Sequence, residues 1–247
     1  MPAAFSVGSI LGTADAGATT QDSGSITVAS GSVMYVLVES SDNTAVACTG
    51  VRWDPTGANQ ALTQIGTTID HSSPNAKASL WRLINPTAAT AVVRVTWGSN
   101  QSERLVAVWV GTGIDTTTPN GTLTQTTGTT AAVSTGAITT TTGQRVLSMA
   151  TLLSGSGTQL SFNTPNGTER NEGSTSGTPF DTAATQDIAA SGTSTTMTWT
   201  ISATPNSWAQ FGIPLNDAPA GGGNLSFDEG VWQPLEMQTN PLTVSLW

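Results

Sequence analysis

Val93-Arg94-Val95-Thr96-Trp97 decides the fold class. Val93, Val95 and Trp97 fall on one side of an extended chain, and Arg94 and Thr96 fall on the other. Successive side chains of a strand point to opposite faces, so this alternation predicts a half-buried β-strand. Similar apolar runs lie on both sides of it, at 33–39, 45–53, 78–84, 91–97, 105–110, 145–153, 195–201 and 208–215. They are short and separated by Gly, Pro, Asn and Asp clusters, and helical periodicity is nearly absent. That spacing predicts an all-β protein, an antiparallel sandwich of jelly-roll-like type.

The punctuation between the runs has physical causes. In Asp54-Pro55-Thr56-Gly57, proline presets φ and glycine accepts positive φ, which makes a turn. Pro119-Asn120-Gly121-Thr122 and Pro165-Asn166-Gly167-Thr168 are twin Asn-Gly signals and predict hairpins. Both also fit the Asn-x-Thr glycosylation pattern, but in a chain without a secretion route they read as turns.

The two halves are weakly alike. Ile26-Thr27-Val28-Ala29-Ser30-Gly31-Ser32-Val33 parallels Ile138-Thr139-Thr140-Thr141-Thr142-Gly143-Gln144-Arg145, and each leads into an apolar run. Val95-Thr96-Trp97 parallels Met197-Thr198-Trp199. No polar linker separates the halves, so residues 1–216 are read as one sandwich rather than two small domains. Residues 217–247 differ in kind. Gly221-Gly222-Gly223 is a flexible hinge. Beyond it Trp232, Leu235, Met237, Leu242, Val244, Leu246 and Trp247 lie on an otherwise polar segment. Exposed together they would be an aggregation hazard, and Thr243–Trp247 alternates as a strand able to join a sheet edge. The expectation is an arm that binds a partner subunit, against the alternative of a tail folded back on its own sandwich.

Composition narrows the function. Of 247 residues only 9% are charged, far below the roughly 25% of ordinary domains. Threonine, serine, asparagine and glutamine carry the polarity. The net charge is −9 and the few basic residues are scattered, which argues against a phosphate-tracking nucleic-acid surface and against an anionic membrane. Nothing reaches the length of a membrane-spanning helix. Met1-Pro2-Ala3-Ala4-Phe5-Ser6-Val7-Gly8 lacks a basic n-region with an apolar stretch behind it, giving the expectation of assembly in a cytoplasm.

Candidates for chemistry are few. His71, the single histidine, sits in Asp70-His71-Ser72-Ser73-Pro74-Asn75 and reads as a solvated loop residue. No Gly-x-Ser-x-Gly elbow accompanies it. Cys48, also single, reads as a small core residue. One histidine and one cysteine do not supply a zinc site. Paired carboxylates for glycoside chemistry exist only as Glu169 with Glu172, Asp181 with Asp187, and Asp228 with Glu229. Asp42, Asp54 and Asp181 are the candidates for a loop calcium ion. No catalytic residue, metal site or cofactor is therefore expected. Trp81, Trp97, Trp109 and Trp199 lie inside strand patterns and read as core. Trp53 precedes the Asp-Pro turn and is the candidate for an exposed ring that stacks on a glycan.

A resemblance adds to this reading. Ala78-Ser79-Leu80-Trp81-Arg82-Leu83-Ile84-Asn85-Pro86-Thr87, then Ala91-Val92-Val93-Arg94-Val95-Thr96, then Leu105 through Ile114-Asp115-Thr116-Thr117-Thr118-Pro119 resemble a recurrent β-sandwich family. It occurs in bacterial secreted surface proteins and in tailed-phage virion proteins. Met197-Thr198-Trp199-Thr200 and Ser207-Trp208-Ala209 look like its closing hairpin. The resemblance covers most of 1–216 and none of the arm, and implies no catalytic residue. It implies a virion protein assembled in the host cytoplasm. The expected role is a capsid decoration or cement subunit bound to the major capsid protein or another virion protein, as a homo-oligomer, plausibly a trimer. The alternative is a carbohydrate-binding adhesin or tail-fibre domain; a glycosidase or lyase is the third reading.

Overall fold

The computed structural model describes residues 2–72, 75–155, 157–177 and 180–219. Among these the chain is strand and turn throughout, without a helix. The strands of the first half are β1 (Ala4–Asp22), β2 (Ile26–Val28), β3 (Val33–Ser41), β4 (Cys48–Trp53), β5 (Gln60–Ala61), β6 (Thr63–Ser72), β7 (Ala76–Ile84), β8 (Ala89–Ala91) and β9 (Val93–Thr112). Those of the second are β10 (Thr124–Gly128), β11 (Ala132–Ser134), β12 (Ile138–Thr139), β13 (Arg145–Ser154), β14 (Phe162–Asn163), β15 (Thr168–Ser174), β16 (Phe180–Ala189), β17 (Ser194–Thr195), β18 (Thr198–Ile201) and β19 (Ser207–Pro214). The arm residues Trp232, Leu235, Met237, Leu242, Val244, Leu246 and Trp247 lie outside the described residues, as do Asp228 and Glu229.

Each half completes its own antiparallel sheet. The first runs β5-β4-β9-β3-β7-β6, with β1 along the other side of β9. The second runs β10-β19-β13-β16-β15. The chain does not pass back and forth between sheets as a jelly roll would. Instead one topology is used twice. The order β6-β7-β3-β9-β1 recurs as β15-β16-β13-β19-β10, and the ribbon β2-β8 recurs as β12-β17. The segment Val93-Arg94-Val95-Thr96-Trp97, held between β4 and the end of β1, recurs as β18 between β14 and β11.

The sheets face each other across a shared core. Val33, Tyr35, Leu37, Leu105 and Trp109 of the first half meet Leu147, Met149, Phe211 and Ile213 of the second. Sheets stack in this way to bury one face of each. Here the outer faces are covered too. Met34, Val36 and Val38 pack with Trp53, Trp81, Trp97 and the β2 residues Ile26 and Val28. Ala150 and Leu152 pack with Phe162, Trp199 and Trp208. With both faces covered, β3 is buried at every position, which is why residues 33–38 read as a continuous apolar run, while its end carries the buried Glu39, Ser40 and Ser41.

The open sides are closed differently. On one, β1 lies against β15, and glycines permit the approach: a Cβ at Gly12 would stand 2.7 Å from the Thr175 backbone nitrogen, and one at Gly8 would run into the Asn171 side chain of β15 as well as the Val108 carbonyl of β9. On the other, the Gln125 amide of β10 bonds the backbone of β6. Its Nε2 donates to the Thr67 carbonyl (2.7 Å), and its Oε1 accepts from Thr67 N (3.2 Å).

Neither Asn-Gly sequence makes the expected hairpin. Asn120 forms an isolated bridge with Leu215, and its Oδ1 accepts from Tyr35 (3.0 Å) and Arg82 (2.6 Å). Asn166 links β14 to β15, which do not pair with each other; its side chain is held by Thr198 N and the Thr196 carbonyl.

Candidate functional site

Titratable side chains gather at two places inside the sandwich. At one end, β3, β6, β13 and β19 bring Glu39, His71, Thr151 and Ser207 together. His71 corrects the expectation of a loop residue. It stands on β6, where alternation points Asp70 outward and the imidazole inward, fully buried. His71 Nδ1 is 3.1 Å from Ser207 Oγ. Its Nε2 is 2.9 Å from Glu39 Oε1, but off the direction of a hydrogen bond, so both atoms lack a hydrogen-bond partner. Glu39 Oε2 is hydrogen-bonded to Thr151 Oγ1, which also reaches the Thr182 carbonyl.

Burial holds this group uncharged. It pushes the Glu39 carboxyl well above the usual range, and it pulls His71 down to about 4 against an opposing pull from Asp70. Beside them Asp181 accepts from Ser41 Oγ at 2.6 Å, while its Oδ1 lacks a donor. Burial raises Asp181 strongly, and the nearby Glu39 and Glu103 raise it further. Glu103 is raised to about 7 by burial, against the stabilising pull of Thr175 and Arg104.

A hydroxyl, an imidazole and a carboxyl in line have the composition of a hydrolase triad. Their setting differs. Ser207 and Glu39 are at most 1% exposed, and nucleophilic catalysis requires a place for the reacting atom beside the nucleophile. Two surface depressions, of about 440 and 650 Å³, lie elsewhere. They flank Asn216-Asp217-Ala218-Pro219 at the opposite end of the strands, where the described chain stops. Pro2 and Gln144 line one, Gly31 and Ile114 the other.

No family model, no curated protein and no solved structure matches the chain. The site is therefore read from its own geometry.

The second polar centre is Asp187, fully buried on β16. Arg170 binds it through two nitrogens, at 2.8 and 2.9 Å, and Arg145 through a third. Trp109 Nε1 donates to it from the first sheet at 3.3 Å. Arg145 also donates to the Ala3 carbonyl, and Arg170 lies over the Phe5 ring at 5.0 Å. This is a clamp joining five segments, one carboxylate shared by two guanidinium groups.

The other sequence candidates are scattered. Trp53 is not the exposed ring expected for a glycan. It is wholly buried in the outer core of the first sheet, and its indole donates to the Thr87 carbonyl at 2.9 Å. The Asp-Pro turn brings back β5, where Gln60 pairs with Trp53 and its Oε1 accepts from Thr87 N. Glu169 and Glu172 lie on the edge strand β15 rather than in a turn, and Glu172 accepts from Phe162 N at 2.8 Å. Asp42 and Asp54 cap the nearby backbone at Asn43 and Ala58, far along the chain from Asp181. Among the described residues no three His, Cys, Asp or Glu side chains are placed to hold a metal ion. Cys48 is half-buried at the edge of the outer core, and burial pushes its thiol up to about 12, which keeps it protonated. Trp81, Trp97, Trp109 and Trp199 are core, as their strand patterns imply.

Sequence reasoning missed the Glu39–His71–Ser207 and Asp187 groups. Their contacting members are 17 to 136 positions apart and carry no local motif.

Proposed function

We propose that this chain is a non-enzymatic structural subunit of a bacteriophage virion, a capsid decoration or cement protein. In this reading residues 217–247 are the arm that binds the major capsid protein or another virion protein. The observation that carries it is where the ionisable side chains go. Glu39, His71, Asp181 and Asp187 are buried between the sheets and engaged with one another, with hydroxyls or with arginines, and the outer surface carries scattered charges among many threonines and serines. Such a body is suited to covering a surface, and its partner chemistry is left to the apolar residues of the arm. Resemblance of the strand motifs to phage virion sandwiches supports the same reading. A homo-oligomer, trimeric where it sits on a three-fold axis, fits the usual symmetry of such assemblies. The burial of Trp53 takes the first aromatic candidate away from a glycan-binding role.

Truncation after Gly221 tests the proposal. The shortened protein is expected to keep its fold by circular dichroism and to lose cosedimentation with phage capsids that bind the full chain. Undiminished cosedimentation would refute the arm.

A further inference from the structure

We propose that the Glu39–Asp181–Glu103 end of the sandwich is a proton-held latch, closed while its carboxyls are protonated and loosened when they ionise. The geometry carries this. Glu39 and Glu103 belong to the first sheet and Asp181 to the second, so the acids face each other across the sheet interface. Glu39 Oε1, Glu103 Oε2 and Asp181 Oδ1 are all buried without a hydrogen-bond donor. Protonated, such oxygens are neutral acceptors. Ionised, they place like charges in a low-dielectric layer that only separation or water can relieve.

The groups facing them are accounted for strand by strand. β6 contributes His71, which is neutral above about pH 4, and Asp70, which points outward and pairs with Lys77 of β7. β9 contributes Arg104, which opposes Glu103 but sits one position along, where alternation directs it to the other face of the sheet, and bonds the Ala18 carbonyl. β13 and β19 contribute the hydroxyls of Thr151 and Ser207, β3 that of Ser41, and Thr175 follows β15. The basic groups thus do not stand between the two sheets beside Asp181. Glu103 is raised to about 7, and its charge, once formed, adds to the strain on Asp181.

The opposite end is a built-in control. There Asp187 is clamped by Arg145 and Arg170. The test is amide hydrogen exchange on the full chain at pH 6 and pH 9, with times scaled for the intrinsic rate. Peptides spanning 63–72 and 180–184 are expected to lose protection at least tenfold at pH 9, and those spanning 107–112 and 145–149 to keep it. Glu103→Gln, alone and with Asp181→Asn, is expected to remove most of the difference. Should the double variant fail to fold, Glu103→Gln alone decides. Equal protection at both pH values, equal loosening at both ends, or undiminished loosening in the Glu103→Gln protein would overturn the latch.

Discussion

The two halves share a strand order but not an interior. The 112-residue offset that aligns Ile26 with Ile138 also aligns Tyr35 with Leu147 and Glu39 with Thr151. The pairing registers extend it. Trp109 and Arg82 flank Tyr35, while Ile213 and Asp187 flank Leu147. Glu103 pairs with Ser41 where Ser207 pairs with Leu153; Ala76 stands where Asp181 stands. At each position the halves differ in size or charge. Bulky Trp109 and Tyr35 meet a half with aliphatic side chains there, which lets two copies of one sheet interdigitate at the density of a protein core. Each acid of the far end has a neutral counterpart, Glu39 with Thr151, Glu103 with Ser207 and Asp181 with Ala76. Two identical halves would have doubled every buried charge.

That comparison can be broken most severely at Asp187. Asp187→Ala leaves two partly buried guanidinium groups without their counterion and is expected to cost on the order of 3–5 kcal/mol. Arg82→Ala, at the equivalent place in the first half, removes neutral partners, its bond to Asn120 and its contact with the Tyr35 hydroxyl, and should cost about 1 kcal/mol. Urea denaturation of both variants compares the halves directly, and equal losses would show that the Asp187 clamp is not special. The next effect is steric. Gly8→Val pushes a side chain against the Val108 carbonyl where β1 closes on β15, and should cost about 1–3 kcal/mol.

The charge asymmetry has a pH signature. A carboxyl raised in the folded state leaves stability intact below its ordinary pKa and costs stability as pH rises toward the folded value. Asp181→Asn should therefore stabilise the protein at pH 8, by about 1–2 kcal/mol, and change little at pH 3. His71 has the opposite sign. Its pKa is lowered to about 4, so its contribution is complete above the ordinary value near 6.5 and is lost as pH falls from there toward 4. His71→Gln should flatten that acid limb, and an unchanged limb in denaturation curves would place its cause elsewhere. Smallest is Gln125→Ala, which opens the β6–β10 closure at an exposed position and should cost about 0.5–1.5 kcal/mol.

Much of the architecture was legible because apolar runs mark buried strands. The runs at 33–39, 78–84 and 145–153 are β3, β7 and β13. Those at 91–97 and 105–110 fuse into the single long strand β9, since the polar stretch between them stays paired to β1. β1 itself was missed. Its glycines and alanines carry little strand propensity, and it is a strand because β9 offers an edge and β15 demands a close neighbour. β16 was missed for a related reason: its Asp181, Thr185 and Asp187 are buried polar residues whose partners come from elsewhere in the chain. His71 looked solvated because its neighbours are polar, yet the period of two decides which of them turns inward. Trp53 looked exposed because a turn follows it, yet its ring packs into the outer core of the first sheet and its indole reaches the Thr87 carbonyl. Repetition at 26–33 and 138–145 was visible, but that the copies form facing sheets is a tertiary fact.

The claim that both halves share one core is tested most directly by calorimetry of the full chain, with Trp109→Ala in the first half and Phe211→Ala in the second. One transition is expected, with calorimetric and van't Hoff enthalpies equal, and both substitutions should lower that same midpoint. Two transitions, each moved by only one of the substitutions, would contradict it.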